Sequence, residues 1–345
     1  MAMGWLGCAA LTALAMVAVG GCGGDDDGGG GGGGSSGSGG GGSSECKPTD
    51  GTCYVAGAEG PGNACLAKAD FSGADVTQLR MTSHQVKSPA ALAAPFMQDS
   101  IITEKSTLKE PACNMNGKGQ FNYLMQLDTA KKELTLGGGV PQALIGPTLD
   151  GTCWAEFTDP KSGLEVKQYT AAYTESGGKL EATLDKFVMP IYLEDKATVD
   201  SAVLVPLHQM KFTAKLSDDK NCVGRYAPEG LQKGLSCQPT EGQFAWEADG
   251  TYEGYITVEE ADKVMVVTLS QSLCVVLTGD PSKWLGTDRD CKTSKGFASD
   301  GMPKGDWCSK TNSAGGCQDS WKLVIDFAAQ AIKIKGVYDS AKNGC

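Results

Sequence analysis

Residues 166–185 read VKQYTAAYTESGGKLEATLD, and their side-chain rhythm decides the fold class. Leu180, Ala182 and Leu184 share one face while Glu181, Thr183 and Asp185 take the other, the period of two that marks a half-buried strand. Glu175-Ser176-Gly177-Gly178 supplies turn chemistry between this strand and the one before it, around Val166–Tyr173, so the stretch predicts an antiparallel hairpin. The rhythm recurs outward in both directions. Phe121, Tyr123, Met125 and Leu127 fall at alternate positions before a turn into Glu133–Leu136. Met210, Phe212, Ala214 and Leu216 alternate with Lys211, Thr213 and Lys215, and Trp321, Leu323, Ile325 and Phe327 form a late strand followed by Ile332 and Ile334. Asp-Gly-Thr at Asp50, Asp150 and Asp249 is turn chemistry that opens further strands.

Two helices interrupt the pattern. Ser88-Pro89 opens one over Ala90–Ile101, with Pro at the first helical position and Pro95 shortening or bending it. Thr257 with Glu260 forms a capping-box pattern that opens a second over Val258–Leu277, stopped by Gly279 and Pro281. The expected fold is mainly β, α+β at the margin: an antiparallel, disulfide-rich β-sandwich or barrel with one or two inserted helices.

Leu6–Val19 is apolar but shorter than a membrane span, and it ends in Val19-Gly20-Gly21-Cys22. An aliphatic residue, two small ones and a cysteine at the end of such a segment resemble a bacterial lipobox. The resemblance implies cleavage between Gly21 and Cys22 and lipidation of Cys22. It departs from the usual pattern in one respect, since no Lys or Arg precedes Lys47. Residues 1–21 then form the signal peptide and 22–45 the lipidated cysteine with a Gly/Ser tether. That tether lacks apolar residues to bury and so reads as a flexible coil spanning on the order of 25 Å. Residues 46–345 form the folded body, as one domain or two subdomains.

The body carries twelve cysteines: Cys46, Cys53, Cys65, Cys113, Cys153, Cys222, Cys237, Cys274, Cys291, Cys308, Cys317 and Cys345. In an exported chain an even number of scattered cysteines reads as a disulfide framework. No C-x-x-C pair occurs and only His84 and His208 are available to assist, which argues against zinc. Proximity suggests local loops at Cys308–Cys317 and Cys222–Cys237, and Cys113 with Cys153 as a staple across a hairpin region. The formal net charge of −11 opposes binding to nucleic acid.

Candidate chemistry is sparse. Asp249 through Glu260 resembles an EF-hand calcium loop, with Asp249 at the first position, Glu253 at the fifth, Gly254 at the turn and Glu260 as the closing carboxylate. The same residues also suit a tight turn followed by a helix cap. A Ser-His-Asp or Cys-His device would need His84 or His208, both in apparent strands without an adjacent signature. The chain has no H-E-x-x-H, no phosphate-binding P-loop and no dinucleotide fingerprint. Trp246, Trp284 and Tyr252, in polar Gly-rich surroundings, are candidates for stacking on sugar rings.

Together with phrases such as Gly305-Asp306-Trp307-Cys308-Ser309 and Gly254-Tyr255-Ile256-Thr257, these features resemble the Cys-rich lipoproteins of myxobacteria and relatives. The resemblance implies a lipid-anchored envelope protein, at the outer membrane and with surface exposure as a further expectation. It assigns no activity. The expectation is a non-enzymatic domain that binds an extracellular ligand, carbohydrate or protein, with calcium as the sole candidate cofactor. The alternatives are a secreted hydrolase acting on envelope or prey polysaccharide and a structural envelope protein.

Overall fold

Eight strands that each pair with the next in sequence, the last with the first, make up the fold. They are β1 (Val76–Ser88), β2 (Asn122–Asp128), β3 (Glu133–Gly139), β4 (Tyr169–Ser176), β5 (Lys179–Tyr192), β6 (Ala202–Ala214), β7 (Gly250–Thr257) and β8 (Ser320–Ala331). All eight pairings are antiparallel, and β8 returns to β1 with Phe327 opposite His84 and Ile325 opposite Val86. The result is a closed up-and-down barrel, which settles the choice between sandwich and barrel and leaves no exposed edge among these strands. The computed structural model describes residues 47–48, 55–56, 66–110, 115–146, 151–227, 231–232, 234, 237–240, 242–293, 301–309 and 317–345. The signal and tether residues with Gly21 and Cys22, and Cys46, Cys53, Cys65 and Cys113, lie outside the described residues. Gly41–Cys345 forms one compact unit.

The hairpin expected at residues 166–185 is present. Glu175 pairs with Leu180 and Ser176 with Lys179, around Gly177 and Gly178 at φ +58° and +77°. Two consecutive positive φ values favour glycine, and they give the turn a twist that matches its strands. Leu180, Ala182 and Leu184 face the core as expected. The alternation then slips: Leu184 pairs with Met210 and Phe187 with Leu207, and all four are buried although Leu184 and Phe187 are three residues apart. Asp185, Lys186, His208 and Gln209 take up this irregularity, with Gln209 at φ +46°.

Both expected helices are broken up. The first is Ala90–Ala93 (α1), which ends before Pro95 because proline has no N–H to continue it; a π-helical turn at Met97–Thr103 and α2 (Glu104–Ser106) follow. The second starts where the capping box puts it, at α3 (Val258–Lys263), with the Thr257 side chain accepting from the Glu260 N–H. It does not run on to Leu277. Met265–Val266 pairs with Gln271–Ser272 as a small hairpin, and a separate helix, α4 (Leu273–Thr278), opens on a Ser272 cap and closes at Gly279 in the left-handed region. The run Val264-Met265-Val266-Val267 carries β-branched side chains that are stiff in a helix and fit a strand. Among the described residues no helix is long and apolar enough to cross a membrane.

Three disulfides join described residues: Cys153–Cys345, Cys274–Cys291 and Cys308–Cys317. The last is the expected local loop. The first overturns the staple between Cys113 and Cys153. Cys153 lies on the short strand Thr152–Trp154, which runs parallel to Ile334–Val337, and this parallel pairing delivers the C-terminal residue to it. Cys222 and Cys237 are each disulfide-bonded, and the bridge expected between them is not one of these three.

Candidate functional site

Alternation in closed strands sends every second residue inward, and what those residues are decides whether the interior is full. In the lower half it is full. Phe327 packs against Phe212 at 5.3 Å and Tyr252 at 5.9 Å between ring centroids, and Leu127 and Leu134, paired with each other across β2 and β3, are fully buried. In the upper half the inward residues are smaller aliphatics: Val86 on β1, Met189 and Ile191 on β5, Val203 and Val205 on β6, Leu323 and Ile325 on β8. These border a cavity of about 370 Å³. The upper end is also where the long connections lie, 89–121 and 258–319, and both contribute a cap. Leu92 and Ile102 come from the first, Leu273 and Val276 from the second. At the rim, Phe96 is 67% and Leu269 43% exposed although both border the cavity. Large apolar side chains left in water at the mouth of an apolar hollow mark an entrance.

One charged group reaches this hollow from a buried position. Lys105, on α2, is only 7% exposed, and its Nζ donates to Gln120 Oε1 at 2.6 Å and to the Leu193 carbonyl at 3.4 Å. Burial pushes its pKa down, nearby Lys118 adds to the effect, and Glu104 and Asp195 oppose it. The backbone around it is pinned. Gln120 and Phe121 both donate their N–H to the Lys105 carbonyl, at 2.8 and 2.9 Å. Beneath α2, the buried Arg80 donates to the Ser106 carbonyl and to Asn122 Oδ1. At Gly117 a Cβ would lie 2.0 Å from the Thr107 carbonyl oxygen, so only glycine lets the two arms of this loop close.

Phe121 closes the floor of the cavity by stacking on His84, with ring centroids 4.3 Å apart. His84 Nδ1 meets Ser106 Oγ at 3.0 Å, a contact that resembles half of a hydrolase device. It lacks the rest. Ser106 and His84 are buried, no carboxylate among the described residues is bonded to His84 Nε2, and burial with the Arg80 charge lowers the imidazole pKa to about 3. An imidazole so averse to protonation is a poor general base near neutral pH.

The residues singled out by sequence are scattered. Asp249 precedes β7, Glu253 lies within it and Glu260 follows on α3, so the stretch is extended instead of looped. Glu253 is paired with Lys322 at 2.8 Å, and Glu260 is held by His208 Nε2 and Lys186, so the three carboxylates of the calcium expectation are not brought together. Gly254, expected at a turn, sits mid-strand because its missing Cβ makes room for the His208 carbonyl. Trp246, Trp284 and Tyr252 make no common platform. Tyr252 fills the barrel, Trp246 packs on Tyr226 outside it, and Trp284 lies beneath Lys283. Two Cys/Asp clusters, Cys274–Cys291 with Asp262 and Cys308–Cys317 with Asp319, have their sulfurs in disulfides and their carboxylates bonded to Ser272 and Cys291 or to Ser309. They brace turns.

Glu260 gives a pH signature. Burial raises its carboxyl pKa, but the His208 hydrogen bond and the charges of His208 and Lys186 outweigh this and bring it from 4.5 to about 2. A depressed folded-state pKa means that its contribution is complete above about pH 4.5 and disappears as the pH falls toward 2. Allowing for solvent screening of a side chain 24% exposed, Glu260→Gln is expected to cost about 2 kcal/mol at pH 7 and almost nothing near pH 2. Urea midpoints of both proteins at the two pH values measure this, and an equal loss at both would refute it.

The described chain is therefore an eight-stranded up-and-down barrel with an apolar cavity under a two-part cap. It matches no protein-family model, no curated protein and no solved structure. Sequence reasoning missed the cavity and Lys105. The aliphatic residues around the cavity were legible as core, but nothing local distinguishes core that packs from core that surrounds a space.

Proposed function

We propose that this chain is an exported, lipid-anchored binding protein whose barrel takes a small apolar ligand into its capped end. The observation that carries the binding half is the cavity. Its volume of about 370 Å³ falls within the range of small-molecule sites, about 300–1,000 Å³, and its border is apolar apart from a few polar side chains at the edge. Transfer of an apolar ligand out of water into such a space gains about 25 cal/mol per Å² covered, without directional contacts. The lipobox-like run at Val19–Cys22 carries the anchoring half. The tether would hold the barrel within on the order of 25 Å of the bilayer, near a supply of apolar molecules.

The test uses protein purified from its native membranes into nanodiscs. Intact mass is expected to show acyl chains on Cys22. N-phenyl-1-naphthylamine, titrated against the intact chain, is expected to receive excitation energy from the protein's tryptophans. Val205→Trp, which fills the cavity, is expected to weaken that binding at least tenfold with little change in melting temperature. An unlipidated Cys22 would remove the anchor. A probe that fails to bind, or that binds Val205→Trp as tightly as the unchanged chain, would remove the ligand site.

A further inference from the structure

We infer that the ligand is an anionic single-chain amphiphile, a long-chain carboxylic acid, whose carboxylate pairs with Lys105 at the cavity edge. The inference rests on the binding function proposed above and names the ligand's chemistry. Among the described residues no carboxylate lies within ion-pair distance of Lys105 Nζ, although its side chain is more than nine-tenths buried. Its two acceptors, Gln120 Oε1 and the Leu193 carbonyl, are neutral, and an ammonium has three N–H donors. The acids nearby are engaged elsewhere. Glu104 pairs with Lys118 at 2.8 Å, and Asp195 is exposed and accepts from Gln120 Nε2 at 2.8 Å, one residue removed from the ammonium. Holding a charge out of water without a counter-charge costs several kcal/mol, a cost that a bound anion offsets.

The rest of the site supplies the other half of the ligand. The walls beyond Lys105 are aliphatic, from Val86 to Ile325, and fit a hydrocarbon chain. One ammonium without a carboxylate partner among the described residues balances one negative charge, as a carboxylate has; a phosphate monoester would bring close to two and leave the second unmatched, since Lys118 is already paired. An acid head at the edge and a chain inside also give the ligand a single orientation.

The experiment titrates the intact chain in nanodiscs with cis-parinaric acid and with its methyl ester, both read by energy transfer from tryptophan. The acid is expected to bind the unchanged protein at least tenfold more tightly than the ester. Lys105→Met is expected to lose at least tenfold for the acid with the ester unaltered, and Lys105→Arg to retain the acid within about threefold. Equal binding of acid and ester by the unchanged protein would overturn the inference while leaving the cavity reading intact, and that comparison needs no variant to fold. Equal weakening of both by Lys105→Met would also overturn it. Failure of both probes to bind the unchanged protein would remove the cavity reading and this inference together.

Discussion

Replacing Cys153 and Cys345 together by alanine is expected to lower the unfolding free energy by about 3–5 kcal/mol. The bridge spans 192 residues, and a loop of that length removes much of the unfolded chain's freedom when closed. The other disulfides shorten the effective loop, which places the expected loss below the value for an otherwise open chain. Changing both cysteines avoids leaving a buried free thiol, since Cys153 is fully buried. The loss should be uneven. Ile334–Val337 depends on the bridge and on its parallel pairing with Thr152–Trp154, whereas the barrel closes on itself through β8 and β1. Hydrogen exchange is therefore expected to rise first at residues 334–345, with β1 to β8 protected. Denaturant midpoints measure the energy. A loss below 1 kcal/mol would show that the C-terminal strap contributes little, and uniform deprotection would show that the barrel needs it.

Gly250→Ala is expected to destabilise the barrel by about 2–3 kcal/mol, although alanine normally suits a strand better than glycine. Gly250 pairs directly with Phe327 across β7 and β8, and a Cβ at Gly250 would lie 2.3 Å from Phe327 Cζ and 2.5 Å from Cε1. Phe327 is itself fully buried against Phe212 and Tyr252 and cannot swing away. Phe327→Ala alone opens a hole and is expected to cost about 3–5 kcal/mol. The two changes relieve each other, because alanine at 327 leaves room for the new methyl. The double variant should be more stable than the sum of the single losses predicts, by at least 1 kcal/mol. Thermal and urea unfolding of the four proteins in the cycle give this coupling directly. Strict additivity would mean that the two side chains do not compete for the same space.

The strands were legible because their signal is local. Leu180 to Leu184 on β5 and Trp321 to Phe327 on β8 show the expected alternation, whereas on β2 Asn122 and Leu124 are buried along with Tyr123, Met125 and Leu127. Alternation cannot say which strand meets which beyond a hairpin. Closure depends on β1 and β8, where Gln85 pairs with Asp326 across most of the chain. The helices were half legible. Thr257 caps α3 through the Glu260 N–H, the one-sided half of the expected box, but Ser272 opens a second helix where a continuous one was expected. The loop that the EF-hand resemblance implies is not formed, for the same kind of reason. Residues 249–260 carry oxygen donors at suitable spacing, yet β6 and β8 on either side pair with Gly250–Thr257 and hold it straight.

Sequence alone determined that this chain is built of half-buried antiparallel strands joined by turns, because side-chain period and turn chemistry act within a few residues. It also suggested the Cys308–Cys317 loop, whose partners are close along the chain, but the same proximity suggested a Cys222–Cys237 bridge that is not among the three described. Tertiary structure decided the rest: the closure of β8 onto β1, the partner of Cys153, and the space left between Val86, Val205 and Ile325. It also decided that Lys105, a lysine with no local mark, would be buried beside that space. Each of these brings together residues far apart in the chain, and the free energy of such contacts depends on neighbours that no local window contains.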